Sequence, residues 1–402
     1  MSDSLFPEED LDRLLKTFIP SKLGLREQFE QSLLDRGVSM RSACDILGIQ
    51  HRTLIGILDG KQKSVDILML ANLADFMRLT KEEALGLLFN QVSTNFKDEL
   101  MENRKRLFIL DNFDLTSLKK SGFLEDITDF TYIEERIVSY FELNSIFEYG
   151  SDISGVAFSS GKPKPKTKLA REFWIEAAAK NLKRINNYYD FDRAKLIEYI
   201  PSIRWHTMNV KNGLFQVIRD LFKLGVTIIF QPYISNIHVR GATFSVHDKP
   251  CIVITNYRKY YSSLWFTLMH ELHHVLYDWD EINNQSYHIS GELDLFSPNE
   301  IEADDFAREY LFSREKMNKV RNLIDNQHFI LEYAKSNHVH PSIIYSFFCK
   351  DNETDEEVWK KYTKLIPDYS EAVSALANNP WQNRKSTREV VNQQNASVFD
   401  GI

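Results

Sequence analysis

Residues 265–277 read Trp-Phe-Thr-Leu-Met-His-Glu-Leu-His-His-Val-Leu-Tyr. The stretch contains His270-Glu271-x-x-His274. On a helix, histidines four apart lie one above the other, so both imidazoles can reach one ion. Glu271 follows the first histidine and can reach a water beside that ion. Zinc lowers the pKa of such a water towards about 7. A carboxylate placed there can take the water's proton and return it to a leaving amine. A chance H-E-x-x-H in a chain of this length arises roughly 2 times in 100. The competing reading is a surface helix with incidental His and Glu. Phe266, Leu268, Met269, Leu272, Val275 and Leu276 speak against it, because they would bury much of the helix. Two imidazoles and a carboxylate buried without partners would cost several kcal/mol. His273 points about 100° away from His274 and is expected outside the ligand set.

A catalytic zinc needs a third protein ligand and an open position. Glu300 and Asp304, four apart in Asn-Glu-Ile-Glu-Ala-Asp-Asp-Phe-Ala, share one helical face. Glu300 can bind the ion while Asp304 hydrogen-bonds a ligand histidine. Glu302, about 200° round the helix, is the weaker candidate. The bland alternative is an acidic, solvated face. Further along, His338, His340 and Tyr345 are candidates for donors to a substrate oxyanion, or else a surface turn before a packed helix at Pro341. Arg240 is a candidate of the same kind. Residues 239–246 are the candidate edge strand for pairing with an extended substrate.

These residues need elements to hold them. From Gly225 the chain is rich in Val, Ile, Thr and Phe. Three strands are expected: GVTIIFQPYI, VRGATFSV and KPCIVITN, the last two joined by a hairpin at His247-Asp248-Lys249-Pro250. Helices are expected at 262–278, 299–312, 315–323 and 328–336. Upstream, 169–188 is a strong helical pattern. Residues 155–168, GVAFSSGKPKPKTK, read as a linker. Lys162, Lys164, Lys166 and Lys168 alternate there, either as nucleic-acid contacts or as solvated chain. Residues 23–90 are helical throughout, with Gly37, Gly48 and Gly60 between short runs. The expected division is a lead-in over 1–22, a helical domain over 23–90, a helical connector and linker over 91–168, a catalytic domain over 169–350 and a C-terminal extension over 351–402. The extension is expected to end in a loose tail from about Ser370. The fold class is α+β.

The composition agrees. The chain has 402 residues, 43% of them hydrophobic and 26% charged, with a net charge of -8. That excludes wholesale disorder and makes non-specific nucleic-acid binding by the whole chain unlikely on electrostatic grounds. No basic stretch followed by an apolar run opens the chain, and no apolar run reaches membrane-spanning length. A cytoplasmic protein without membrane contact is expected. Cys44, Cys251 and Cys349 are far apart and odd in number, so three buried thiols are expected.

Two resemblances add to this reading. FTLMHELHH followed by NEIEADDFAREYLF, with the strands before and SNHVHPSIIYSFF after, resembles the ImmA/IrrE family of metallo-endopeptidases over about 169–349. The resemblance implies a zincin-like, gluzincin-type domain. His270, His274 and Glu300 would be zinc ligands and Glu271 the general base and acid. It also implies a protein substrate: a helix-turn-helix repressor, cut in cis or in trans, in a stress response or phage defence. One position departs from the family, which usually has Gly where this chain has His273. Residues 39–62 resemble the XRE-type helix-turn-helix of HigA-like antitoxins. That implies a first helix over 40–47, a turn at Gly48-Ile49 and a recognition helix over 50–58. Gln50, His51 and Arg52 would then meet operator DNA, bound by a homodimer. The segment 23–90 carries eight Lys or Arg against nine Asp or Glu, without the basic excess of a typical DNA reader. Protein contact is the other use for that module. The alternative function is therefore a transcriptional regulator or antitoxin, with the peptidase fold serving as a sensor or as a platform for a cognate toxin.

Overall fold

The computed structural model describes residues 24–150, 165–291, 298–376, 381 and 384–400. They form an α+β protein, and no helix among them is long and apolar enough to cross a membrane. The chain separates into two compact units, and the division falls after Ile109.

The first unit begins with α1 (Leu25–Arg36), α2 (Met40–Leu47), α3 (His51–Leu58), α4 (Ile67–Met77) and α5 (Lys81–Asn95). Its helices start where the sequence provides caps. The Ser39 side chain accepts from Ser42 N, Asp66 accepts from Leu68 N and Met69 N, and Thr80 forms a capping box with Glu83. Gly48, at φ 64°, ends α2, and only three residues separate α2 from α3. A left-handed conformation there suits glycine. The core joins Leu25, Phe29, Ala43, Leu47, Leu54, Leu58, Leu73 and Met77. Ile46 and Ile67 fit the expected apolar period yet are 64% and 80% exposed. The two turns of α2 bury one narrow stripe, Ala43, Cys44 and Leu47, and Ile46 falls beside it. Ile67 opens α4 ahead of that helix's buried stripe.

Helix α6 (Lys97–Asn112) begins in the first unit, while α7 (Leu115–Lys120) and α8 (Phe130–Phe141) belong to the second. Of the described residues in 91–168, those up to Ile109 fall with the first unit and those from Leu110 with the second. Phe113, Phe123, Tyr140 and Phe141 are buried. Phe123 and Phe141 pack on Phe173 at centroid distances of 4.8 and 5.6 Å. Phe173 lies in α9 (Lys166–Arg184). That helix takes in Lys166 and Lys168, both expected in the linker. Lys162, Lys164 and the lead-in lie outside the described residues.

After α10 (Arg193–His206) and α11 (Gly213–Lys223) come β1 (Thr227–Phe230), β2 (Val239–Val246) and β3 (Lys249–Ile254). The hairpin between β2 and β3 turns on two residues, His247 and Asp248, both with positive φ, as a tight two-residue turn requires. Helix α12 (Tyr261–Tyr277) follows, then α13 (Trp279–Gln285) and a strand not expected from the sequence, β4 (Tyr287–Gly291). The sheet order is β1-β3-β2-β4, with β1 parallel to β3 and the other pairs antiparallel. Helices α14 (Pro298–Phe312), α15 (Arg314–Val320), α16 (Gln327–Ser336) and α17 (Pro341–Asp351) start within a residue of their expected positions.

The expected loose tail is folded wherever it is described. Beyond α18 (Glu356–Tyr362) and α19 (Ser370–Val373), Trp381 is 1% exposed and packs on Phe173 at 6.1 Å. Buried Arg136 donates to the carbonyls of Trp381 and Lys385. In α20 (Thr387–Gln394), Val390 and Val391 are buried, and Phe399 stacks on Phe222 at 4.3 Å. The polar composition concealed a few apolar anchors spaced along the segment. All three cysteines are free and buried.

Candidate metal centre

Helix α12 runs under the sheet with nearly every residue from Tyr261 to Leu276 buried. Its C-terminal end is closed by Arg193, whose guanidinium donates twice to Leu276 O, at 3.0 and 2.9 Å. A cation suits that end of a helix. The helix brings His270 Nε2 and His274 Nε2 to 3.2 Å from each other. From α14, Glu300 places Oε2 3.3 Å from His270 Nε2 and Oε1 3.3 Å from His274 Nε2. All three side chains are at most 3% exposed.

The far side of each imidazole is tied to a carboxylate. His270 Nδ1 lies 2.9 Å from Asp304 Oδ1, and His274 Nδ1 lies 2.7 Å from Asp278 Oδ2. Asn299 donates to the other oxygen of Asp278. With an ion bound, each Nδ1 would be the donor and the neutral ring's lone pair would be left on Nε2; with no ion, Nε2 of each ring faces the Glu300 carboxylate instead. These two nitrogens and the Glu300 carboxylate converge on one buried point and could hold a cation there. Two nitrogens about 2.0–2.1 Å from a tetrahedral ion sit about 3.3 Å apart, close to the 3.2 Å found here. The donor set fits zinc.

Electrostatics show the same need for positive charge. At His274, burial opposes the charged form. Hydrogen bonds to Asp278 and Glu300, with the charges of Glu271 and Glu300, outweigh it and carry the imidazole up to about 10. At His270, burial is likewise overcome by hydrogen bonds to Asp304 and Glu300, and the net direction is upward. Burial would raise Glu300, but hydrogen bonds from His270, His274 and His288 hold it well below the carboxylate range. At Asp304, half-buried, burial raises the carboxyl, but His270, Lys350 and Arg240 hold it down at about 2.

Glu271 is fully buried. Thr243 Oγ1 donates to its Oε2 at 2.8 Å, while Oε1 has no hydrogen-bond partner among the described residues. The space for this carboxylate comes from Gly241. A Cβ there would lie 2.6 Å from Glu271 Oε1 and 2.7 Å from Thr267 Cγ2. The carboxylate is thus held at one oxygen, and its other oxygen is buried without a hydrogen-bond partner among the described residues, so that it could accept a proton.

The other candidates are distributed differently. Arg240 approaches the centre, but through Asp304, 3.7 Å from Oδ1, while Lys350 Nζ lies 3.0 Å from Oδ2. His338 is exposed and packs on Trp205. His340 caps α17 by accepting from Ser342 N, and Tyr345 is buried and stacked on Tyr362. These three make no contact with the His270–His274–Glu300 group among the described residues. The strand β2 has β3 on one side and β4 on the other, so residues 239–246 offer no free edge. This corrects the expected substrate strand; the edge beside the centre is β4. His273 is buried, its ring against Tyr277 and Phe306. Burial, with the charge of His274, lowers it to about 4. In the first unit Gln50, His51 and Arg52 are exposed at the start of α3.

Sequence reasoning missed Asp278, Thr243, Gly241, His288 and Ser290. Asp278 carried a usable signal, because it stands four residues after His274. The others reach the centre through strand pairing, which no local spacing encodes. Comparison of the chain with family models, curated proteins and solved structures returns no match.

Proposed function

We propose that the chain is a zinc-dependent endopeptidase acting on a regulatory protein, of the kind that the resemblance to ImmA/IrrE peptidases implies, and that it works in the cytoplasm. The observation that carries this reading is a buried His270–His274–Glu300 donor set beside a carboxylate with one oxygen unpartnered among the described residues. His270, His274 and Glu300 would hold the ion, with Asp304 and Asp278 fixing the imidazoles. Bound zinc supplies Lewis acidity, acidifying water and polarising the scissile carbonyl. Glu271 Oε1 takes a proton from the attacking water as its oxygen bonds to the carbonyl carbon. Thr243 keeps the carboxylate in place. Glu271 then returns the proton to the amide nitrogen as the C–N bond breaks, giving a carboxylic acid and an amine; transfer of the acid's proton to the amine leaves a carboxylate and an ammonium.

The test uses purified full-length protein, its metal content measured by mass spectrometry and its cleavage read on a quenched-fluorescent peptide library. Wild type is expected to hold one zinc and to cut a subset of peptides. Glu271→Gln is expected to keep the zinc and lose the cutting, and His270→Ala to lose both. Wild type without stoichiometric metal, or Glu271→Gln with wild-type cleavage, defeats the reading.

The second reading, a regulator or antitoxin, is favoured by the exposed Gln50, His51 and Arg52 at the start of a helix three residues after another. Here a dimer of the first unit would touch operator DNA, and the peptidase fold would sense a signal or a toxin. A mobility-shift assay on the DNA upstream of the coding sequence tests it. No shift at low salt removes it, and a shift lost in Arg52→Ala supports it.

A further inference from the structure

Two of the three donor residues have an anchor that is not itself a donor: Asp304 for His270 and Asp278 for His274. The corresponding partner of Glu300 comes from β4. In the pairing of β2 with β4, Thr243 stands opposite His288 and Gly241 opposite Ser290. Residues opposite each other in an antiparallel pair share a face. Gly241 and Thr243 both meet Glu271, so His288 and Ser290 face the same centre. Ser290, fully buried, places Oγ 3.2 Å from His270 Nε2. His288 places Nε2 2.7 Å from Glu300 Oε1, and its ring lies 4.4 Å from that of His274.

His288 differs from the donor residues. Its side chain is 31% exposed, against 2% for Glu300. It also falls outside the set of side chains that can converge on one ion. Glu300 is an ionised acceptor, so His288 Nε2 carries the hydrogen and donates it. Among the described residues, the remaining hydrogen-bond partners of the Glu300 carboxylate are His270 and His274 themselves. Those nitrogens must turn to the metal when it binds, and His288 alone can keep holding the carboxylate.

We propose that His288 is the positioning residue of the metal centre, holding Glu300 in its binding orientation through an Nε2–H to Oε1 hydrogen bond. This rests on the metal reading above. The advantage is pre-organisation: a glutamate with three rotatable bonds is fixed before the ion arrives, so less freedom is lost on binding. Edge strand β4 thereby gains a role in metal affinity without closing the coordination sphere.

The experiment compares wild type, His288→Ala and His288→Gln as full-length proteins. Glutamine keeps an N–H donor at a similar reach. Zinc affinity is measured by competition with a chromophoric chelator. Cobalt(II) is added to record the visible spectrum, and the chelated proteins are unfolded in urea. His288→Ala is expected to weaken zinc binding about 10–100-fold. His288→Gln should recover most of the loss. The cobalt spectrum should keep the intensity of a four-coordinate site in all three, and the metal-free unfolding midpoints should stay close together. Unchanged zinc affinity in His288→Ala overturns the proposal. So does a glutamine variant as weak as the alanine one, since the donor would then be irrelevant. A cobalt spectrum that changes coordination type in His288→Ala also overturns it, by making His288 a ligand. Wild type that binds no zinc defeats the metal reading and this inference with it, a result distinct from the other three.

Discussion

Gly241→Ala probes the fit between β2 and the Glu271 carboxylate with a single methyl group. Gly241 does not have a positive φ, so the backbone itself accepts alanine and the effect is steric. The new Cβ would stand 2.6 Å from Glu271 Oε1, 2.7 Å from Thr267 Cγ2 and 3.0 Å from Glu271 Cγ. Comfortable carbon contacts lie at about 3.5–4.0 Å, so a displacement of about 1 Å is needed. Thr267 is a short branched side chain on a buried helix and has little room to yield. Overpacking of this kind costs about 1–3 kcal/mol. Restricting the unfolded chain returns about 0.4–1 kcal/mol. The expected net loss is about 1–2 kcal/mol, read as a lower urea midpoint at unchanged slope. The metal donors are not in the clash, so zinc stoichiometry should remain at one. A catalytic group displaced by about 1 Å loses about 100-fold in turnover, measured on a peptide that wild type cuts. Gly241→Ala with wild-type stability and wild-type turnover would refute the packing argument. Loss of zinc together with turnover would show that the helix, and not Glu271, had moved.

Two further outcomes follow from other parts of the molecule. In chelated protein, His274 should titrate by NMR near 10, where Asp278 and Glu300 hold it, and not near 6.5. Because the folded value is raised, its contribution to metal-free stability is complete below pH 6.5 and fades as pH rises through about 10. Zinc must expel that proton, so affinity should climb from pH 7 to 9, and a His274 resonance titrating at 6.5 contradicts the charge balance. Trp381→Ala should cost about 3–5 kcal/mol in chemical denaturation, because the indole is buried against Phe173; a change within error would mean that the C-terminal segment carries no load.

The candidate metal helix was legible in the sequence because its signal is local: the two histidines four apart, the glutamate beside the first and the apolar flanks all fall within thirteen residues. Glu300 and Asp304 were legible for the same reason, one helical turn apart. What stayed hidden depends on pairing across the sheet. Nothing in Tyr-His-Ile-Ser-Gly announces a strand that must lie beside residues 239–246, some 45 positions earlier, and so His288 and Ser290 went unread. The same gap misplaced the substrate edge. The packing of Phe113, Phe123, Tyr140 and Phe141 was not legible either, because they stand in a segment rich in charge. Their partners, Phe173 and Trp381, lie far along the chain. The C-terminal segment reads as polar because its buried anchors, Leu376, Trp381, Val390, Val391, Val398 and Phe399 among them, are spaced between polar residues.

Arg136 and Phe173 set an order for synthesis. The metal ligands leave the ribosome early, at positions 270–300, but the cluster around Phe173 waits for Trp381, and the Arg136 guanidinium waits for the carbonyls of Trp381 and Lys385. Until then the Arg136 guanidinium lacks two of its carbonyl acceptors and Phe173 lacks its indole neighbour. A chain interrupted after α17 would carry every donor of the centre and still expose the cluster around Phe173 to chaperones and proteases.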